Sequence, residues 1–187
     1  MAEPVSVLLS VATGLALAAA AGFRAFVPLL AASLAIHFHY VEASPGFDWL
    51  GEPVVMIALS IATLTEITAY YVPGVDHVLD LIAAPVAVAA GIIAAAGVMV
   101  GLPDWLRWFT AIGAGGAVTT AGHALNALGR AKTGLASGGL GNPMYSTAEL
   151  AGSVLLASLA FLLPLAAVIA VAAIAALLLQ RWRRRRV

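Results

Sequence analysis

Long apolar segments alternate with short polar ones along the whole chain. The first apolar segment runs from Pro4 to about Phe38, well over the roughly 20 residues that a helix needs to span a bilayer. It is interrupted by Gly22–Pro28, and a proline removes one helical hydrogen bond and clashes with the preceding turn. The pattern predicts one long helix that is broken or strongly kinked, with Arg24 near its middle.

Three further spans and two loops follow. The spans are predicted at about 54–72, 75–100 and 104–128, and glycine and proline punctuate the loops at 37–53 and 129–142. We expect Asp104 to be the N-cap of the fourth span. This span is rich in small residues, which let helices pack closely within one chain or across a homodimer.

The last apolar segment, 143–180, is long for one span and short for two. Pro164 lies in its middle. We therefore predict a tight hairpin of two short helices, with one kinked helix as the alternative. A basic tail, 181–187, follows as a separate segment.

The composition indicates that these segments lie in lipid rather than in water. The chain is 63% hydrophobic and 10% charged, whereas soluble domains carry about 25% charged residues. This predicts an all-α, polytopic transmembrane helical bundle that forms a single domain over residues 1–180. The chain has no cysteine, which excludes disulfides and thiol chemistry.

Basic residues are placed unevenly, and their placement predicts the topology. Of the nine lysines and arginines, most lie in the tail, which the positive-inside rule places in the cytoplasm. Six spans would also put Arg130 and Lys132 inside and the acidic loop 37–53 outside, with both termini cytoplasmic. The tail could bind anionic lipid headgroups; we expect no nucleic-acid partner.

Short internal similarities indicate a duplication. Gly22-Phe23-Arg24 resembles Gly122-His123-Ala124 in spacing, and Thr63-Leu-Thr-Glu66 resembles Ser146-Thr-Ala-Glu149. Three spans in each half would make the halves, 1–101 and 102–180, inverted repeats, as in many transporters.

Charged groups inside apolar helices are expensive in lipid, so they are expected to meet inside the bundle. Arginine stays charged and binds carboxylates with two parallel donors, and Asp76 and Asp80 share one helix face. Arg24 is therefore the expected cation of a shared site. The candidate substrate- or ion-binding residues are Arg24, Glu66, Tyr70, Asp76, Asp80, His123, Asn126, Asn142 and Glu149.

The chemistry of this set has several interpretations. It could be a structural ion-pair network, a substrate or proton pathway or, at Asp76-His77-Val-Leu-Asp80, a metal site. There is no HExxH pattern and no cysteine, so we expect no metal. No cofactor is expected, because the glycine-rich 138–143 segment lacks the lysine of a nucleotide-binding loop. No hydrolase triad stands out, and an intramembrane enzyme ranks third among the functions considered.

Several segments together resemble a known family. They are Gly22–Leu29, Glu66 with Tyr70, Tyr71 and Pro73, Asp76 with Asp80 and Pro85, and Gly139–Pro143 with Glu149. The combination resembles the uncharacterised bacterial integral membrane family catalogued as domain of unknown function 4126, over about 5–173. The resemblance implies a small multi-pass protein of the bacterial inner membrane. It implies no established activity, so no catalytic residue is carried over.

Together these observations predict a small transporter or channel that moves an unidentified small solute or ion, with coupling to protons as an option. Arg24 would bind or gate, and the buried acids would carry protons or cations. The alternative is a non-transporting scaffold or lipid-binding protein in which the same residues only hold helices together.

Overall fold

The fold is entirely helical over the described part of the chain. The computed structural model describes residues 3–71, 75–137 and 141–184, with side chains described except at 75–81, 136, 174–175, 177–179 and 181–184. The helices are α1 (Pro4–Ala21), α2 (Phe26–His37), α3 (Pro53–Ala69), α4 (Val75–Val98), α5 (Asp104–Thr110), α6 (Gly116–Ser137), α7 (Asn142–Leu162) and α8 (Pro164–Arg184). A π-helical turn, Ala111–Gly115, joins α5 to α6, and a 3-10 turn, Asp48–Gly51, precedes α3. The predicted all-α class is confirmed.

Helix α1 is the central element of the bundle. It packs against α4, α6, α7 and α8, and its second half is buried almost continuously from Ala12 to Ala21. Most of these buried residues are alanine or glycine, which lets the neighbouring helices approach closely. Whatever follows the C-terminal end of α1 therefore lies inside the molecule.

The predicted break in the first apolar segment is confirmed. Helix α1 ends at Ala21 and α2 begins at Phe26, with Arg24 in the non-helical link between them. Pro28 explains the position of the break, because its ring would clash with the carbonyl of Arg24, four residues earlier, in a continuous helix. After the break the chain continues in α2, which packs against α3, α4 and α7.

The fourth predicted span is longer than expected. The glycines after Leu128 led us to predict a loop from 129, but α6 continues to Ser137. These glycines make room for α7: a Cβ at Gly129 would collide with the ring of Tyr145, and one at Gly134 would lie 3.2 Å from Asn142 Oδ1. Residues 138–140 of the predicted loop lie outside the described residues.

The turn before α5 also differs from the prediction. Pro103 occupies the N-cap and no side chain caps this end, so the prediction of Asp104 as N-cap is wrong. The carboxylate of Asp104 instead lies 3.1 Å from the guanidinium of Arg107. Arg107 is buried, donates to the Pro45 carbonyl at 3.2 Å and lies 5.6 Å from the ring centroid of Phe47. It therefore anchors the loop after α2 onto α5.

The last apolar segment forms two helices, α7 and α8, which are separated at Leu163. The two-helix prediction is correct, but the helices are not short, since each spans 21 residues. Helix α8 extends through Arg184, so the basic tail begins within a helix rather than after one.

The surface and the helix lengths are consistent with membrane association. In the described residues, α1 and α7 are long and apolar enough to cross a membrane, and the other apolar helical stretches are shorter: 26–37, 53–69, 82–98 and 164–173. The outward face of α3 carries Val54, Ile57, Ile61 and Leu64, all more than half exposed. The count of about six spans is not confirmed. The Ser10 hydroxyl of α1 donates to the Val100 carbonyl at 3.0 Å and the Ser44 amide, after α2, donates to the Gly97 carbonyl at 2.8 Å, so the start of α1 and the end of α2 lie at the same end of α4, as a hairpin. The inverted repeat stays a prediction.

Candidate functional site

The break between α1 and α2 leaves helix ends inside the bundle, and side chains from other helices satisfy them. The last carbonyls of a helix lack partners within it. The Thr119 hydroxyl donates to the Ala18 carbonyl at 2.7 Å, and the Ser153 hydroxyl donates to the Ala20 carbonyl at 3.0 Å. Asn126 Nδ2 donates to the carbonyl of Gly22 at 2.9 Å. Helices α6 and α7 thus supply side-chain donors to the end of α1, in addition to the amides of Phe23 and Arg24, which also bond to the Ala20 carbonyl.

The start of α2 is satisfied by an acid from α3. Both oxygens of Glu66 accept backbone N–H groups, one from Ala25 at 2.9 Å and the other from Phe26 at 3.1 Å. The first amides of a helix carry partial positive charge, and a carboxylate is the favoured group there. Glu66 therefore holds α2 in place from a neighbouring helix.

Arg24 lies in the break itself and is 1% exposed. Its Nη2 donates to the backbone carbonyl of Ser146 at 3.1 Å and also to the hydroxyl of that serine. The same nitrogen lies 3.6 Å from Glu149 Oε2, and the guanidinium carbon lies 4.1 Å from the ring centroid of Tyr70. The buried charge is thus paired with a carboxylate that is itself 3% exposed.

A second arginine joins the same group. Arg130, from α6, forms an ion pair with the same carboxylate oxygen of Glu149, and its guanidinium carbon lies 4.2 Å from the centroid of the same Tyr70 ring. Two arginines, one carboxylate and one aromatic ring form a cluster at the break, which we call the arginine cluster (Arg24, Tyr70, Arg130, Glu149). Among the described residues, Arg24 Nε and Nη1 and Glu149 Oε1 have no hydrogen-bond partner.

A cavity of about 330 Å³ lies beside the break, between α3 and α4. Its described lining is formed mostly by alanine, phenylalanine and other apolar side chains, with Glu66, Thr65, Tyr70 and His123 as the polar groups. Arg24 does not line it. Tyr70 contributes both to this cavity and to the arginine cluster, so the two features share one side chain.

The close crossing of α1 and α6 also lies at the break. A Cβ on Gly22 would lie 3.0 Å from the Cα of Gly122, and one on Gly122 would lie 3.4 Å from the Cα of Gly22. The two glycines that we matched in the predicted duplication therefore touch each other. Small residues of the fourth span are used within the chain here, and the homodimer stays a prediction.

The structure brings most of the predicted site residues to the break. Arg24 and Glu149 form an ion pair, Glu66 and Asn126 bind the two helix ends, Tyr70 contacts the arginine and His123 lines the cavity. Asn142 lies at the start of α7, opposite Gly134. The side chains of Asp76 and Asp80 lie outside the described residues. Whether any of these residues binds a substrate stays a prediction.

Sequence reasoning missed four residues of this region: Thr119, Arg130, Ser146 and Ser153. The sequence predicts Arg130 only as a loop residue that indicates the topology, because Gly129 precedes it. Ser146 is the first residue of the segment matched to Thr63–Glu66, and this match is the sequence signal that could have identified it. Thr119 and Ser153 resemble ordinary packing residues in sequence, because their hydroxyls bond to carbonyls of α1, which is distant from both in the chain.

No group of three or more His, Asp or Glu side chains that could hold a metal ion occurs among the described residues.

The chain was also compared with known proteins. The family model described as "Domain of unknown function (DUF4126)" matches residues 11–184. Searches of curated proteins and of solved structures gave no match.

Proposed function

The chain belongs to the family described as Domain of unknown function (DUF4126), and we propose from its geometry that it is a small membrane transporter or channel. Its substrate would be a small solute or ion. The observation that carries the proposal is the broken first helix. Discontinuous helices at the centre of a bundle, with charged groups beside the break, are typical of transporter binding sites. The arginine cluster and the cavity at Glu66 both lie beside this break and share Tyr70.

In the proposed arrangement the chain crosses the bacterial inner membrane five times, through α3, α4, α5 with α6, α7 and α8. Helices α1 and α2 enter and leave on one side as a hairpin, because Ser10 of α1 bonds to the Val100 carbonyl and the Ser44 amide, after α2, bonds to the Gly97 carbonyl, both at the same end of α4. The C-terminus lies in the cytoplasm, where the basic end of α8 binds anionic headgroups, and the N-terminus lies on the opposite side. The apolar outward face of α3 supports this arrangement, since it would be costly in water and favourable in lipid.

The topology can be tested by cysteine labelling, since the chain has no cysteine of its own. Asp48 and Lys132 are both exposed. In intact cells whose outer membrane is permeabilised, a membrane-impermeant maleimide should label Asp48→Cys but reach Lys132→Cys only after the inner membrane is opened. Equal labelling of both variants before opening would contradict the arrangement.

Transport itself is tested in proteoliposomes under an imposed pH gradient and membrane potential. Fluxes of protons, of rubidium and of a small organic cation are followed, and at least one should depend on the protein. Glu66→Gln should reduce that flux, whereas the matched control Glu52→Gln, at the exposed start of α3, should leave it unchanged. Vesicles with the protein that behave like empty vesicles in all three assays would contradict the proposal.

The alternative, a scaffold without transport, is favoured by one specific observation. The polar ends at the break are satisfied by protein side chains, including both oxygens of Glu66. Such a network could serve only to hold the helices. In that case Arg24→Ala should lower the melting temperature while wild-type vesicles show no flux.

A further inference from the structure

The cavity between α3 and α4 combines an apolar wall with one formally charged side chain. Among its described lining residues, Glu66 is the only aspartate, glutamate, lysine or arginine. A carboxylate in apolar surroundings is costly unless it is paired and hydrogen-bonded. A molecule in this cavity therefore meets one acidic group among apolar side chains.

The hydrogen-bonding capacity of Glu66 is only partly used. In the described part of the chain Glu66 accepts the two backbone amides at the start of α2, and Arg24, which is paired with Glu149, interacts with it electrostatically at longer range. A helix N-terminus supplies the equivalent of about half an elementary charge. Two carboxylate oxygens offer about four acceptor positions, so each oxygen of Glu66 can accept a further donor or face a cation.

The rest of the cavity fits the body of such a cation. The aromatic side chains Phe23, Phe26 and Tyr70 line it, and aromatic faces attract organic cations. Its volume of about 330 Å³ is at the small end of ligand sites, which span about 300–1,000 Å³. Ile82 and Val86, on the α4 side of the lining, are partly exposed, which gives a lipophilic molecule access from the side of the bundle.

We propose that this cavity binds a small lipophilic cation, an ammonium group carrying an apolar substituent, with the charge at Glu66 and the substituent among the alanine and aromatic side chains. This inference rests on the proposed transport function and names its substrate class. Anions and neutral apolar molecules of the same shape are expected to bind much more weakly, because they bring no positive charge to the carboxylate.

Three ligands of nearly the same shape test the charge directly. Benzyltrimethylammonium is the cation, neopentylbenzene is its neutral isostere with carbon in place of nitrogen, and benzylsulfonate is an anion of similar size. Binding of each labelled ligand to the full chain in lipid nanodiscs is measured by equilibrium dialysis, with protein-free nanodiscs subtracted. The cation should bind saturably, and the other two should bind at least tenfold more weakly.

Variants assign the binding to this cavity. Glu66→Gln should weaken cation binding at least tenfold, while Glu52→Gln should not change it. Ala83→Leu places a larger side chain into the cavity and should block binding, whereas Ala89→Leu, on an exposed position of the same helix, should not. If Glu66→Gln does not fold, Ala83→Leu decides, since it keeps the carboxylate.

The proposal is overturned if the cation and its neutral isostere bind equally, if the anion binds best, or if neither Glu66→Gln nor Ala83→Leu weakens the cation. The outcomes also separate this inference from the function on which it rests. Saturable cation binding without any flux supports the cavity and refutes transport. Proton or rubidium flux without cation binding supports transport and refutes this substrate class.

Discussion

The first and the fourth predicted spans differ in one respect that organises the molecule. Residues 4–37 form two helices with a break at 22–25, whereas residues 104–137 form one continuous rod through α5, the π-helical turn and α6. The two segments have the same length, and their matched glycines, Gly22 and Gly122, are in contact. Only the broken one carries a buried charge at its centre.

The sequence difference behind this contrast is small. The broken segment has Arg24 and Pro28, and the continuous one has Ala124 and Leu128 at the corresponding positions. Proline forbids the helical bond to the residue four before it, which opens the chain where the arginine lies. The continuous rod then supplies Thr119 and Asn126 to the ends that the break exposes. One segment is broken, and side chains of the other donate hydrogen bonds to the carbonyl groups at the break.

The largest effect is expected when the charge in the break is removed. Arg24→Ala should destabilise the protein by about 3–5 kcal/mol, the usual cost of breaking a buried ion pair. The matched control, Lys132→Ala, removes an exposed cation of the continuous rod and should change stability little. Unfolding in mixed detergent micelles measures both, and similar values for the two variants would show that Arg24 is not engaged.

A smaller effect than that of Arg24→Ala should follow from removal of the cap of α2. Glu66→Ala leaves two amides of the break without their acceptor, and the loss of a helix cap costs about 0.5–2 kcal/mol. Glu52→Ala is the matched control, because Glu52 occupies the N-cap of α3 but makes no side-chain cap bond. If the two variants lose equal stability in the same unfolding assay, the cap does not act as described.

The crossing of the two segments should be sensitive to a single methyl group. Gly22→Ala would place its Cβ 3.0 Å from the Cα of Gly122 and 3.0 Å from the carbonyl oxygen of Thr119, so backbone must shift, at a cost of about 1–3 kcal/mol. Gly113→Ala meets nothing within 4 Å and should not destabilise. Melting temperatures that rank these two variants the other way would rule out a close crossing.

The smallest effect should come from one donor of the continuous rod. Asn126→Ala removes the hydrogen bond to the Gly22 carbonyl, worth about 1 kcal/mol. Hydrogen exchange of the amides of α2 should accelerate in this variant less than in Glu66→Ala. The opposite order would place the weak point of the break at the end of α1 rather than at the start of α2.

The break could be predicted from sequence because its cause is local: a proline follows the arginine at helical spacing. The residues that surround Arg24 could be predicted only as a set, because charged groups are costly in lipid and therefore pair inside the bundle. Their pairing could not, because it depends on how the helices are rotated. Arg130 was assigned to a loop because glycine is ambiguous in sequence, and only the neighbouring Tyr145 shows that Gly129 makes room for a side chain.

The same limit applies to the duplication. Glu66 and Glu149 were matched on four residues each, and the structure places both at the break, one on the amides of α2 and the other on the arginines. Helices α1 and α6 nevertheless run in the same direction where they meet, since Ala18 lies beside Gly115 and Gly22 beside Gly122. This does not fit inverted halves, and the duplication stays a prediction.

A double-mutant cycle between Arg24 and Glu149 tests most directly whether the break is held by a shared polar interior. Free energies of unfolding are measured for the wild type, Arg24→Ala, Glu149→Gln and the double variant. Contacting charges in one network should show a coupling of about 1–3 kcal/mol, whereas independent sites add to within about 0.5 kcal/mol. Coupling in the first range is the predicted result, and additive losses would contradict the account.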